Sequence, residues 1–364
     1  MNIRIDSTCS PANLLTIWLL AAITGCAQGP VVIDTSGSTG EPKPITISHS
    51  QIKTSVQMTA DALRLCAGDR ALVCLSTESI GGLMMLARGL VLNLDLQVVE
   101  PQREPLKSIP LDTAAPFDFY SFVPLQLQTL LSADLRYIPR LNQAKAILVG
   151  GAPISNPLIT QAQQISAPIY HTYGMTETVS HIALRRLNGP DASEPFLALK
   201  GVKLGQDQRG CLTITSDVTA SERITTNDLV ELKSKREFIW LGRADNVINT
   251  GGIKVQAEVV ERAISEALQE VFGLAYPYES FFVGPVPDAV YGECIAVIFE
   301  GVHPTSDNQE KLKAALSKIL QRPEVPKHIL SVPNFERARN GKIDRRATLR
   351  KAKQIGLGSH TNQS

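Results

Sequence analysis

Zinc-type cysteine spacing, an excess of charge of either sign and any internal repeat are all missing from this 364-residue chain. Its six cysteines, Cys9, Cys26, Cys66, Cys74, Cys211 and Cys294, are scattered, with no C-x-x-C pair. That excludes a zinc module and a dense disulfide framework, and it suits a reducing compartment. Thirty-six basic residues against thirty-five acidic ones leave a formal charge of +1. No global field therefore draws nucleic acid or an anionic membrane, and any partner must be found by a local site. With 43% hydrophobic and 20% charged residues, the composition is that of an ordinary soluble protein, and the length allows two domains.

A membrane-spanning run is also missing. Residues 14–26 (LLTIWLLAAITGC) are apolar but too short to cross a bilayer. The run ends in Ile-Thr-Gly-Cys, similar to a lipoprotein cleavage box, yet only Arg4, offset by Asp6, precedes it where a positive segment is needed. The expectation is a buried N-terminal helix closed by Gly25, in a cytoplasmic protein without stable membrane insertion.

What is present is most concentrated in residues 35–43, TSGSTGEPK, directly after Val31-Val32-Ile33. Gly37 and Gly40 permit tight turns that bring backbone N–H groups to an anion; Ser36, Ser38, Thr35 and Thr39 add hydroxyl donors, and Lys43 adds a charge. The composition predicts a phosphate-gripping loop. Glu41-Pro42 separate Gly40 from Lys43, and Pro44 follows, so the Gly-Lys-Ser/Thr order of a Walker loop is broken and an ordinary P-loop NTPase is excluded.

Short apolar runs at 71–74, 97–99, 146–149 and 168–170 alternate with helical patterns and predict a layered α/β region. Two of them lead into Gly150-Gly151-Ala152-Pro153 and into HTYGMTET (171–178), loops that would converge at one sheet edge, where α/β proteins bind ligands. Past Gly210 the texture turns to short strands at 212–215, 229–232 and 238–241. Beyond Gly242-Arg243-Ala244-Asp245 come a helix with apolar Val259, Ala263, Ala267 and Val271, strands at 281–283 and 294–299, and a helix with Leu312, Ala315, Leu316 and Ile319. The expected organisation is a large α/β domain over 1–242, a smaller mobile α+β domain over 246–364 and a hinge near 243–246. The polar tail after Gly356 reads as disordered.

Four motifs in order, TSGSTGEPK, TYGMTET, WLGRADNVINTGGIKV (240–255) and RNGKIDR (339–345), resemble those of the acyl-adenylate-forming enzymes, a family that includes acyl-CoA ligases, luciferases and peptide-synthetase adenylation domains. The resemblance runs from about Val31 to Arg346. It implies the shared fold, ATP and CoA as co-substrates, Mg²⁺, and a small carboxylic acid as the partner molecule; self-association is left open. It implies ATP or AMP contacts for Thr35, Ser36, Gly37, Ser38, Thr39, Gly40, Lys43, Gly151, Ala152, Pro153, Tyr173 and Gly174, with Asp228 and Arg243 on the ribose hydroxyls. In the same way Glu177 would hold the metal, and Thr176 would donate to the α-phosphate. Lys342 would bridge the reacting carboxylate and the phosphate. Asp245 would be the pivot, and Gly251, Gly252 and Lys254 would line the thiol tunnel.

The chemistry agrees, since joining a carboxylate to the α-phosphorus of ATP requires cations and oriented donors while pyrophosphate leaves. Without the resemblance, Lys342, in a basic stretch with Arg337, Arg339, Arg345 and Arg346, would read as solvated surface. The chain departs from the family's Thr-Gly-Asp at Thr226-Asn227-Asp228.

Only thirty-four residues precede Thr35. That brevity, Thr226-Asn227-Asp228 and Pro287-Asp288 with Gly292-Glu293 are similar to the short o-succinylbenzoate–CoA ligases of menaquinone synthesis. Residues 81–88 (GGLMMLAR) resemble their substrate segment and imply acid-binding roles for Gly82 and Arg88, although Glu78-Ser79 stand where a histidine or aromatic residue is common. By its own chemistry, an arginine on this apolar segment either meets an anion or reaches solvent or a nearby acid such as Glu78. Other aryl- or fatty-acid–CoA ligases of the same fold, and a nucleotide-binding protein without catalysis, are the remaining readings.

Overall fold

A reciprocal cap starts the first long helix. After β1 (Ile3–Ile5) and the paired β2 (Val31–Asp34) and β3 (Pro44–Ile47), helix α1 (His49–Leu63) begins at Ser48. The Ser48 hydroxyl accepts from the Gln51 N–H at 3.3 Å, and the Gln51 side chain accepts from the Ser48 N–H at 2.9 Å. Two donors that a helix start leaves open are thereby satisfied. Ile52, Val56, Thr59, Ala60 and Leu63 form the buried stripe of α1. This computed structural model describes residues 3–5, 30–34, 43–110, 115–133, 135–272, 280–302, 304–337 and 343–356. The expected phosphate-loop residues 35–40, Lys342, the apolar run 14–26 and the tail after Gly356 lie outside them.

Strands then alternate with helices: β4 (Arg70–Val73), α2 (Ile80–Leu92), β5 (Asp95–Val98), β6 (Phe119–Phe122), α3 (Pro124–Ala133), α4 (Ile138–Leu141), β7 (Ala146–Val149), α5 (Asn156–Ala162) and β8 (Ile169–Gly174). Such crossovers make parallel pairing the natural outcome. β1, β5, β4, β6, β7 and β8 are parallel neighbours in that order. Both faces of this sheet are covered. Ala71, Val73, Ala146 and Leu148 enter one core, while Leu72, Ile147 and Val149 enter the other.

The same sheet continues through antiparallel strands β9 (His181–Arg186), β10 (Phe196–Ala198), β11 (Lys203–Gln206), β12 (Cys211–Thr215), β13 (Arg223–Leu232) and β14 (Glu237–Arg243). Its second half runs β8-β9-β10-β14-β13-β12-β11, making twelve strands among the described residues. Since β7 and β8 are parallel neighbours, the loop at 150–153 and the turn at 175–180 leave the sheet side by side at one edge.

A single turn, Ala244–Asn246, leads from β14 to a second sheet built from β15 (Val247–Thr250), β16 (Ile253–Gln256), β17 (Phe281–Asp288), β18 (Gly292–Glu300) and β19 (His328–Val332). Helices α6 (Ala257–Phe272), α7 (Ser306–Ile319) and α8 (Arg345–Gly356) accompany it. The buried stripe of α6 is Val260, Ala263, Ile264, Ala267 and Leu268. Val259, expected on that face, is exposed, as is Ile319 on α7. The reason is periodicity: 260, 263, 264, 267 and 268 share one side at 3.6 residues per turn, and 259 stands about 100° away from 260.

Cys74, Cys211 and Cys294 are buried and Cys66 is exposed, all four as free thiols. Among the described residues, no helix is long and apolar enough to cross a membrane.

Candidate active site

The antiparallel register of β13 and β14 sets Asp228 opposite Arg243. Arg243 Nη1 lies 3.8 Å from Asp228 Oδ1, and its Nη2 lies 2.7 Å from Asp245 Oδ2. Two further donors fix the Asp228 carboxylate: the Tyr173 hydroxyl donates to Oδ2 at 2.7 Å and Trp240 Nε1 to Oδ1 at 3.2 Å. The Tyr173 ring stands edge-on to Phe238 at 5.0 Å, so its reach is set by packing. Burial and the Asp228 charge hold its hydroxyl well above the usual phenol range. The result is a rigid, half-buried carboxylate with a guanidinium beside it, an arrangement suited to a diol. Asn227, where the family has glycine, extends the network by accepting from Arg209 Nη1 at 3.1 Å and donating to Asp245 Oδ2 at 3.4 Å.

Tyr173 and Gly174 end β8, and the next residues turn sharply. A Cβ on Gly174 would lie 2.3 Å from the Ser180 carbonyl oxygen, so only glycine fits this approach. Thr176–Thr178 form one turn of 3₁₀ helix, and Val179 follows at φ 63°. Positive φ in a buried β-branched residue is backbone strain, of the kind that clusters at functional sites. Thr176 and Glu177 ride on this turn, half-buried. On the neighbouring loop, Gly151 adopts φ 85°, and Gly150 packs directly on the Thr172 hydroxyl. Ala152 lies within hydrogen-bonding reach of His171, whose imidazole is pushed down to about 3 by burial and by the Arg185 charge.

Arg88 projects from α2 into the core and is 2% exposed. Two of the three alternatives open from sequence are not realised: it does not reach solvent, and Glu78 is exposed and not its partner. Nη2 donates to Ser180 Oγ at 2.9 Å and to Thr59 Oγ1 at 3.5 Å, and Nη1 contacts Met85 Sδ at 3.8 Å. Nε has no hydrogen-bond partner among the described residues. Burial pulls the guanidinium down to about 10, with no carboxylate to raise it. His181 completes the cluster through Nε2 and Thr59 Oγ1, 3.2 Å apart; burial and the Arg88 charge hold it well below its ordinary range. Among the described residues its hydrogen-bond partners are all neutral, which makes this buried cation costly. Gly82, on the same helix, has the Ser76 carbonyl oxygen 2.2 Å from where a Cβ would sit, so the backbone there tolerates no side chain.

The structure thus brings Tyr173, Asp228 and Arg243 together, with Asp245 adjoining. Arg88 joins the strand that leaves the Thr176–Glu177 turn. Gly251 and Gly252 form the turn between β15 and β16 at φ 58° and 84°, and Lys254 beyond them is exposed. Lys43 is also exposed. Thr59, Ser180, His181 and Trp240 were not singled out by sequence reasoning. Ser180 and His181 directly follow the TYGMTET motif and Trp240 opens the WLGRAD stretch, whereas nothing local marks Thr59.

Fold and site together define an α/β protein with two loops side by side at one sheet edge and a buried arginine bonded to the end of one of them. A family profile described as AMP-binding enzyme matches residues 30–198. The chain is 39% identical to an acyl-CoA synthetase (AMP-forming)/AMP-acid ligase II-like protein from Dyadobacter fermentans, covering 95% of this chain and 96% of that one, with a TM-score of 0.60. The chain belongs to the AMP-binding enzyme family. It is 26% identical over 332 residues to the 2-succinylbenzoate–CoA ligase of Lactococcus lactis, covering 87% of this chain and 70% of that one. The fold is shared with the Bacillus subtilis O-succinylbenzoate coenzyme A synthetase solved with ATP and magnesium ion, at 20% identity and a TM-score of 0.69, over 87% of this chain and 69% of that one.

Proposed function

We propose that the protein is an AMP-forming acid–CoA ligase whose acid is 2-succinylbenzoate, acting in the cytoplasm in menaquinone synthesis. The observation that carries the choice of acid is Arg88: a fully buried guanidinium with no carboxylate partner among the described residues, 2.9 Å from Ser180 Oγ. An acid with a second carboxylate, one that does not react, supplies the missing charge. Relatives named for the same activity support this reading.

The reaction has two steps. The succinyl carboxylate attacks the α-phosphorus of ATP and expels pyrophosphate; the CoA thiol then attacks the acyl carbon and expels AMP. In the first step Asp228 and Arg243 orient the ribose, Tyr173 and Trp240 keep Asp228 fixed, and Thr176 donates to the α-phosphate. Lys342 approaches the reacting oxygens. Mg²⁺ offsets phosphate charge when bound, and Glu177 would hold it. For the second step, the turn at 244–246 serves as the pivot between domains at 1–242 and 246–364, and Gly251-Gly252 with Lys254 come to the thiol. The test is incubation with ATP, Mg²⁺, CoA and 2-succinylbenzoate, with mass detection of the thioester. Absence of thioester from this acid, with turnover of another aryl or fatty acid, would reassign the substrate.

A further inference from the structure

The partners of Arg88 are joined to one another. Thr59 of α1 and His181, the first residue of β9, are both buried. The Thr59 hydroxyl donates to the Ser55 carbonyl, one turn back, at 3.0 Å, so its proton is committed to the backbone of α1. Toward the side chains around it, Thr59 Oγ1 can then only accept. It accepts from Arg88 Nη2 at 3.5 Å, and His181 Nε2, 3.2 Å away, must be a donor to it. Burial and the Arg88 charge keep the imidazole neutral, with a single N–H. With that proton on Nε2, Nδ1 is an acceptor, and the Ser180 hydroxyl, 3.4 Å from it, donates. Ser180 Oγ is thereby left to accept from Arg88 Nη2 at 2.9 Å. The direction of every bond in this circuit follows from one main-chain carbonyl.

The circuit joins α1, α2 and β9. α1 is fixed at its start by the Ser48–Gln51 cap and by Gln51 Nε2, which donates to the Val218 carbonyl at 2.9 Å. His181 is the register partner of Gly174, where the strands approach so closely that a Cβ on Gly174 would lie 2.6 Å from the His181 Cα. Thr59 and His181 therefore hold the Arg88 head from two sides, one set by α1 and the other by the strand paired with Gly174. A paired buried network fixes one arrangement, whereas an arginine bonded to Ser180 alone is free to swing about that bond. We infer that Thr59 and His181 are positioning residues for the acid, holding the Arg88 guanidinium at the offset from the Thr176–Glu177 turn that the non-reacting carboxylate requires. The inference rests on the proposed role of Arg88 as the anchor of that carboxylate. Neither side chain needs to touch the acid, because both act through Arg88.

The readout is acid preference in ATP–pyrophosphate exchange, the ratio of kcat/KM for 2-succinylbenzoate to that for the analogue lacking the ring carboxylate. Thr59→Val keeps the shape of the side chain and removes the acceptor shared by Arg88 and His181. It should lower the preference about 3- to 10-fold, the worth of one hydrogen bond, through the KM for 2-succinylbenzoate, with kcat and the KM for ATP within about twofold of wild type. Thr59→Ser, which keeps the hydroxyl, should hold the wild-type ratio. His181→Leu should lower the ratio about 2- to 5-fold, because Thr59 still accepts from Arg88. Should Thr59→Val not fold, His181→Leu carries the same test. On an Arg88→Ala background, either substitution should change the ratio no further, since each acts through a guanidinium that is no longer there. If Arg88→Ala lowers the preference while Thr59→Val and His181→Leu keep it, the positioning role is overturned. An equal fall for both acids, or a further fall on the Arg88→Ala background, makes the circuit merely structural and overturns it as well. If Arg88→Ala itself keeps the wild-type preference, the anchoring role fails first, and the inference falls with it.

Discussion

Arg88 Nη2 donates to Ser180 Oγ across 2.9 Å, tying α2 to the residue that follows the strained Val179. This bond places a buried cation against Ser180, two residues beyond the turn that carries Thr176 and Glu177. An anion bound at Arg88 is therefore held at a fixed offset from that turn. Arg88→Ala should raise the KM for 2-succinylbenzoate about 10- to 100-fold, the worth of a hydrogen bond to a charged group. The advantage of this acid over an analogue lacking the ring carboxylate should shrink by a similar factor. Relief of the buried charge offsets only part of the cost of the cavity and of the lost bonds to Ser180 and Thr59, so the melting temperature should fall. A variant that keeps the wild-type preference between the two acids rules the anchor out.

Asp228 accepts from Tyr173 and Trp240, so Asp228→Asn would turn an NH₂ group toward one of two donors. The KM for ATP in pyrophosphate exchange should rise about tenfold, with a stability loss of about 1 kcal/mol. Tyr173→Phe should show a weaker effect in the same direction, since the carboxylate remains but is less firmly held. Unchanged ATP dependence in both variants would remove Asp228 from the ribose.

Legibility from sequence depended on whether a residue's partners were local. Asp228 and Arg243 were recognisable from their motifs, and a hairpin register brings them opposite each other. Arg88 stood out as a cation on an apolar segment, but its partners Thr59 and Ser180 are 29 and 92 positions away, and no periodic pattern announces them. Arg345 and Arg337 read as surface charge because the acids they pair with, Glu261 and Glu300, lie 84 and 37 positions upstream. Periodicity located α6 and put Ala263 and Ala267 on its inward side, but it chose Val259 over Val260: the two fit the sequence almost equally, and packing against the second sheet decides.

Glu177→Gln keeps the shape of the side chain while losing its charge. If Glu177 holds the metal, the Mg²⁺ concentration for half-maximal rate should rise about tenfold or more, with folding unaffected, because hard cations strongly prefer carboxylate to amide oxygen. Titrating Mg²⁺ at saturating ATP checks this, and an unchanged titration curve would exclude Glu177 as a ligand.

Two enclosed imidazoles contribute to the acid side of the stability curve. Burial together with the Arg185 charge holds His171 down to about 3, and burial together with the Arg88 charge holds His181 well below its ordinary range. In the unfolded chain both titrate near about 6.5. Below that pH the unfolded state binds protons that the folded state refuses, so stability is complete above about 6.5 and is lost as pH falls toward 3, the folded value of His171. Each histidine steepens the loss by up to about 1.4 kcal/mol per pH unit. Urea denaturation of the wild type at pH 7, 6 and 5 should therefore show stability falling steadily. His171→Gln with His181→Gln should flatten the slope by about 2–3 kcal/mol per pH unit below pH 6, whatever its effect at pH 7. A double variant with the wild-type slope would mean that both rings already take up protons in the folded protein.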